Sequence, residues 1–208
     1  PWARIVSAAP PSSGGVALVT MLNILGGVGP VGGDRALRAH YIVEAMRRAY
    51  HDRAAHLGDP DFWPVPVDAL LAPSHADALR DTIDPEAATP SRMLDGLSAP
   101  GPGGEDTSHF SIVDRQGNRV AATLSINYPF GSGFVAPGTG LLLNDEMDDF
   151  SARPGSPNAY GLVGGEANAI APGKRPLSSM TPTFVETDDR VAVLGTPGGS
   201  RIITMVLL

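Results

Sequence analysis

The alternation of apolar and polar positions changes texture twice along the chain. After "PPSSGG", residues Val16 to Leu25 are almost uniformly apolar, which predicts a helix buried on all sides. Asp34 suits the N-cap of a second, longer helix running to about Leu57, with Leu37, Tyr41, Ala45 and Ala49 on one stripe and Gly58 as its stop. In that register Arg47, Arg48 and Arg53 fall mostly on the wet face. "GDPDFWPVP" reads as a turn-rich connection, and a short helix is expected around Ser74 to Thr82. From Pro85 to Asp106 the periodicity fades into "PEAATPSRMLDGLSAPGPGGED", which reads as an exposed, mobile linker.

The second change is abrupt. "HFSIVD" and "RVAATLSIN" alternate as strands and are joined by "RQGN", a Gly-containing hairpin turn. "GLLLN", "PTFVET" and "RVAVLG" are read as further strands, the last two forming a hairpin across Asp188 and Asp189. "TPGGSRIITMVLL" closes with a Gly-rich turn entering a helix. No internal repeat is evident. The order of helices, linker, antiparallel strands and helix predicts an α+β layered domain with helices packed on an antiparallel sheet.

Composition narrows the chemistry. The chain has 208 residues, enough for one substantial core, and 42% of them are hydrophobic, as in ordinary globular proteins. With 25 glycines and 20 prolines, turns and loops are favoured over a helix bundle. A net charge of −7 without a basic stripe argues against a nucleic-acid partner. The absence of cysteine removes disulfides, thiolate nucleophiles and Cys-based zinc sites together. The longest apolar run, "GGVALVTMLNILGG", is shorter than a membrane span and carries Asn23. The chain opens on Pro1 and closes on "TMVLL" with no targeting pattern, and its last residues read as a helix stopped mid-turn, as in a piece of a longer protein.

A threonine starting a strand directly behind a loose linker raises a chemical question. Thr107 can be a plain β-branched residue suited to a strand. It can also be a nucleophile: if the preceding peptide bond is cut, the freed α-amine, which titrates near pH ~7.7 to 8.0, serves as its base and no histidine is required. Several segments bear on the choice. "SINYPFGSGF" places Ser125 and Asn127 at alternate positions near the end of the strand paired with that of Thr107, so both can point to one side. "NDEMDDF" offers Glu146, Asp148 and Asp149 to a cationic group, and "RPLSSMTP" presents adjacent hydroxyls on Ser178 and Ser179. In "TPGGS" the amides around Gly198 and Gly199 could cradle an anion or oxyanion. His109 shares a strand face with Thr107 but is redundant as a base. His51 and His56, five apart, are separated on a helix and make a poor zinc pair.

Together and in order, "TSHFSIVD", "SINYPFGSG", "LLLNDEMDDFSARPGSPNAYGLVGGEANAIAPGKRPLSSMTPT" and "GTPGGSRII", with "PPSSGG" and "AYHDRAAHLGDPDF" upstream, closely resemble the γ-glutamyltranspeptidase family. The resemblance covers nearly the whole chain and leaves only the linker unmatched. It implies a four-layer αββα sandwich of the N-terminal nucleophile hydrolase type, incomplete in this chain, and a precursor that cuts itself between Asp106 and Thr107. Residues 1–84 would then be the C-terminal helical part of the large subunit, 85–106 the linker and 107–208 the small, catalytic subunit, the two pairing after cleavage.

By position, the resemblance makes Thr107 both the autoprocessing residue and the mature nucleophile, with the Ser125 hydroxyl to orient it. Asn127, Glu146 and Asp149 match positions holding the α-amino group of a γ-glutamyl donor. Ser178 and Ser179 match those holding its α-carboxylate, and Gly198 and Gly199 the oxyanion-hole turn. Residues 151–172 resemble a lid loop with Tyr160 as gating aromatic. The implied reaction takes glutathione or a related donor and passes the glutamyl group to water or an amino-acid acceptor, in the periplasm or outside the cell. No metal or organic cofactor is implied. Two alternatives stand beside it. One is a cephalosporin (glutaryl) acylase, which should not need Glu146 and Asp149, and the other is a non-processing fragment that serves only as a binding module.

Overall fold

Helix α1 (Gly14–Gly26) is the pivot of the structure. The computed structural model describes residues 3–94, 107–158 and 161–208. α1 packs in three directions, Leu18 and Met21 with Ala49 and Ile203, Val16 with Leu57 and Leu177, and Ile24 with Ala45 and Ala76, but it is not buried on all sides as its apolar composition predicts: Gly15, Val19, Leu22 and Asn23 form a half-buried stripe. Its neighbours are α2 (Arg35–His56), the one-turn α3 (Val67–Leu70), α4 (Pro73–Asp81) and α5 (Ile202–Leu207). Asp34 caps α2 as expected, its carboxylate accepting from the amides of Ala36 and Leu37 at 2.9 and 3.0 Å.

The strands form antiparallel sheets. β2 (Ser108–Val113) and β3 (Arg119–Leu124) make the first predicted hairpin, whose turn is closed by Asp114 accepting from the Gln116 and Asn118 amides. β4 (Thr183–Glu186) and β5 (Val191–Leu194) make the second. A short strand that the sequence pattern did not signal, β1 (Arg4–Ser7), pairs with the outer edge of β4 and gives the order β1-β4-β5. The architecture is α+β, with α1 and α5 lying against the three-stranded layer and β2–β3 meeting it along β5.

Four local expectations need correction. "GLLLN" is not a regular strand: Leu142 forms an isolated bridge to Val135, flanked by backbone hydrogen bonds between residues 132–136 and 141–143, and Leu141 and Leu143 stay exposed. β3 ends at Leu124, so Ser125 and Asn127 lie beyond it, and Asn127 turns into the left-handed region at φ 73°. Arg48 and Arg53 are buried, not wet. Arg48 donates to the Thr82 carbonyl, to Thr89 and to Glu44, while the Glu44 carboxylate also takes the Thr89 amide and hydroxyl. Burial works to raise Glu44, but hydrogen bonds from Thr89, Arg48 and Arg47 outweigh it and hold the carboxyl at about 2. The same network anchors Thr89, and Leu94 is buried, so the stretch to Leu94 is held against α2 instead of lying free.

Candidate active site

The β2–β3 register pairs Ser108 with Leu124, so one step beyond the ladder Thr107 falls opposite Ser125. Thr107 is 8% exposed, and its hydroxyl donates to Ser125 Oγ at 3.2 Å. The same oxygen accepts the Asn127 amide at 3.0 Å, and Asn127 itself turns into the left-handed region at φ 73°. Asn127 Nδ2 reaches the Asp145 carbonyl, the Tyr128 amide reaches the Asp145 carboxylate, and the Tyr128 hydroxyl reaches Asp148. The turn that follows the nucleophile candidate is thereby tied to the acidic cluster.

These residues share one cleft. Thr107, Ser125, Asn127, Glu146, Asp149, Ser178, Ser179 and Gly199 line it, joined by Leu162, Met180, Ser200 and Ile202. Gly198 stands immediately behind Gly199 with φ 140°, a conformation that favours glycine. Asp106 and Tyr160, expected at the cleavage point and in the lid, lie outside the described residues. His109 does not line the cleft: its ring pairs with Thr123 and Ser111 and fills the space that a side chain at Gly195 would need.

Two walls of the cleft are electrically distinct. Burial, reinforced by a hydrogen bond with Asp149 and by the charges of Asp149 and Asp145, pushes the Glu146 carboxyl up to about 8. Burial pushes Asp149 up as well, against the hydrogen bond from Glu146 and the charge of Arg53. The pair therefore retains a proton near neutrality, and an arriving cation would let it ionise fully. On the opposite wall Ser178 Oγ accepts the Met180 amide at 3.0 Å, and Ser179 Oγ accepts from Arg53 Nη2 at 3.1 Å. Each hydroxyl keeps its proton to donate into the cleft.

The floor is built by "PPSSGG" and by α2. Ser13 Oγ and the Ser13 amide both donate to the Ser178 carbonyl, Ser12 Oγ donates to the Met180 carbonyl, and the Ser178 amide donates to the Pro11 carbonyl. Gly14 is required there, because a Cβ would meet the Met180 carbonyl at 2.9 Å and collide with the Thr181 side chain. From α2, Tyr50 donates its hydroxyl to the Ser200 carbonyl and Arg53 holds Ser13 and Ser179. Buried Asn168 links the Asp149 carbonyl to the Leu177 amide, joining the two walls. Sequence reading missed Tyr50, Arg53 and Asn168; the spacing of Tyr50 and Arg53 by three, one face of a helix, was the available signal.

Comparison with known proteins identifies the family and the fold. The family model described as gamma-glutamyltranspeptidase matches residues 3–208. A glutathione hydrolase proenzyme of Pseudomonas sp. (strain A14) is 52% identical over 208 residues, covering 99% of this chain and 36% of that protein. Its counterpart in Escherichia coli (strain K12) is 50% identical, over 98% of this chain and again 36% of the relative. The chain thus spans little more than a third of the length of these relatives. Among solved structures, a cephalosporin acylase from Bacillus halodurans superposes with a TM-score of 0.77 at 26% identity, covering 99% of this chain and 34% of that one. The helices over antiparallel sheets are thus those of an N-terminal nucleophile hydrolase, and the chain belongs to the gamma-glutamyltranspeptidase family.

Proposed function

We propose that this chain carries the catalytic cleft of an autoprocessing threonine-nucleophile enzyme that cleaves γ-glutamyl amide bonds, as in glutathione, and passes the glutamyl group to water or an amino-acid acceptor. The carrying observation is the Thr107 hydroxyl, set on Ser125 in a cleft whose one wall is an acid pair and whose other wall is a pair of hydroxyl donors. A γ-glutamyl donor bears an ammonium and a carboxylate on one carbon, and burying either without a partner costs several kcal/mol. Here Glu146 and Asp149, with Asn127, face the first, and Ser178 and Ser179 face the second.

The chemistry runs in two stages. In the precursor, Thr107 Oγ attacks the Asp106 carbonyl, the peptide nitrogen leaves as the new α-amine, and water hydrolyses the resulting ester. The residues to Asp106 then form the end of one subunit and Thr107 the start of the other, and the two stay paired. In the mature enzyme the α-amine takes the Thr107 hydroxyl proton as the oxygen attacks the γ-carbonyl, and the amides at Gly198 and Gly199 stabilise the oxyanion. The donor's amine leaves with that proton. Water or an acceptor amine then resolves the glutamyl ester, and Tyr160 and the 151–172 loop cover the cleft during turnover.

The acylase reading draws on the superposition with the cephalosporin acylase. A glutaryl group lacks the α-ammonium, however, and would leave Glu146 and Asp149 facing nothing. The deciding experiment uses the full-length protein and its Thr107→Ala variant, with intact mass and chromophore release from γ-glutamyl and glutaryl anilides. Cleavage before Thr107 and preference for the γ-glutamyl anilide, both lost in the variant, are expected. An uncut, inactive parent overturns the reading.

A further inference from the structure

Arg53 is a buried cation on which the charges of Tyr50 and Asp149 act only at longer range. It lies in the last turn of α2 and is 6% exposed, and among the described residues no carboxylate comes within ion-pairing distance of it. Its hydrogen bonds go to neutral oxygens: Nε to Ser13 Oγ at 2.9 Å and Nη2 to Ser179 Oγ at 3.1 Å. A buried guanidinium satisfied only by hydroxyls is costly unless an anion completes the site when the protein works.

The direction of these bonds shows where that anion belongs. A hydroxyl has one proton, and Arg53 occupies a lone pair of Ser179 Oγ, so the Ser179 proton must point elsewhere. Ser179 lines the cleft, and Arg53 does not; it lies behind the wall, lining the adjoining cavity with Asp149 and Leu162. Through Ser13, whose hydroxyl donates to the Ser178 carbonyl at 2.7 Å, Arg53 also braces the neighbouring serine. Without the guanidinium, Ser179 could rotate and present a lone pair, which would repel a carboxylate.

We infer that Arg53 is a positioning residue for the carboxylate of the donor: it holds Ser179 as a hydrogen-bond donor and supplies, one atom removed, the positive charge that the carboxylate neutralises. This rests on the γ-glutamyl reading above and deepens it, since it makes the end of α2, before the cleavage point, part of the recognition of a substrate whose acyl group is taken by Thr107.

The test compares two anilides in the full-length protein, γ-glutamyl anilide and 4-aminobutyryl anilide, which keeps the amine but lacks the carboxylate. Arg53→Gln is expected to raise KM for the γ-glutamyl anilide about tenfold or more with kcat nearly unchanged, and to raise KM for the 4-aminobutyryl anilide much less, through the lost influence of Arg53 on Asp149 alone. Arg53→Lys keeps the charge but not the planar fork, and is expected to lose about threefold, again only on the carboxylate-bearing substrate. Arg53→Gln combined with Ser179→Ala should cost clearly less than the two single effects combined, the remainder being the brace on Ser178 through Ser13. Equal KM changes on both anilides, additive effects in the double variant, or unchanged KM in both single variants would overturn the inference. If Arg53→Gln does not fold, Arg53→Lys read on the two anilides decides by the same criterion. A parent enzyme that itself shows no preference for the γ-glutamyl anilide would instead overturn the donor reading.

Discussion

The hydroxyl of Thr107 donates to Ser125 Oγ at 3.2 Å, and that oxygen is held in place by the Asn127 amide. On the proposed mechanism Ser125 is a fixed acceptor that selects one rotamer of Thr107. Ser125→Ala is expected to lower kcat by about 10- to 100-fold, or about 1.4–2.7 kcal/mol, with little change in donor KM. Ser125→Thr should restore most of the rate, because it keeps the oxygen and adds one methyl group. Steady-state assay of both variants checks this; a Ser125→Ala enzyme with the parent's kcat would remove Ser125 from the orientation of the nucleophile.

Glu146 and Asp149 share a proton because burial raises both carboxyls, and Glu146, pushed further by its hydrogen bond with Asp149 and the charges of Asp149 and Asp145, reaches about 8. A raised carboxyl contributes its stability below the ordinary carboxylate range and loses it as pH rises through the folded value, so the pair stabilises the fold less at pH 9 than at pH 6. For binding the sign reverses. An ammonium group is better held by the fully ionised pair, so donor KM should fall as pH rises towards about 8 and climb again once the donor's own amine deprotonates. Glu146→Gln is expected to match the parent near pH 6, where both carry one negative charge, and to fall behind by about tenfold near pH 8.5. A KM–pH profile of the parent and the variant measures this directly, and superimposable profiles would show that Glu146 does not face the ammonium.

Asp59 joins two segments more than a hundred residues apart. Fully buried, it accepts from the Arg175 amide at 2.8 Å, from Arg175 Nε at 2.9 Å and from the Asp61 amide at 3.1 Å. Hydrogen bonds from the Arg175 side chain, which outweigh burial, hold its carboxyl far below the usual range. A depressed carboxyl contributes stability above its ordinary value near pH ~4 and loses it as pH falls. Asp59→Ala should cost about 1–3 kcal/mol at pH 7 by urea unfolding, since the half-exposed Arg175 and the Asp61 amide lose a shared charged acceptor. The gap between Asp59→Asn and the parent should narrow on acidification; a constant gap from pH 7 to pH 3 would contradict the assignment.

Local signals were the legible ones. The uniform apolar run of α1, the Asp34 cap and the two hairpin turns each rest on residues within a few positions of one another, and the structure places them as the pattern predicts. The cleft residues after Thr107 were suggested by hydroxyls, acids and glycines in turn-rich segments, but only the family resemblance gathered them into one site, and the structure brings most of them to one cleft. What escaped was non-local. Arg48 and Arg53 were assigned to water because a helix pattern sends charge outward, whereas the partners that bury them, at residues 79–89 and at Ser179, are distant in sequence. "RIVS" is too short to announce a strand and owes its conformation to the edge of β4. "GLLLN" pairs only with the short segment 132–136 through one isolated bridge, so its strand composition overstated the extent of the ladder.

Gly14 offers a test of how the helical part of the chain supports the cleft. It lies at the start of α1, where a Cβ would meet the Met180 carbonyl at 2.9 Å, and Met180 follows the two cleft serines directly. Gly14→Ala must push the turn at 178–181 outward or distort the first turn of α1, at a cost of about 1–3 kcal/mol. Because the Ser178 carbonyl is held by Ser13 and the Ser12 hydroxyl holds Met180, the shift should carry the hydroxyl wall with it and raise donor KM more than it lowers kcat. Gly26 at the other end of the same helix has open space around it, so Gly26→Ala should stabilise the protein by about 0.5–1 kcal/mol through helix propensity and leave KM unchanged. Unfolding curves and donor KM for the two variants separate close packing from backbone entropy, since the same substitution in one helix is expected to have opposite signs. Equal effects at the two ends would mean that the approach of α1 to the 178–181 turn does not shape the cleft.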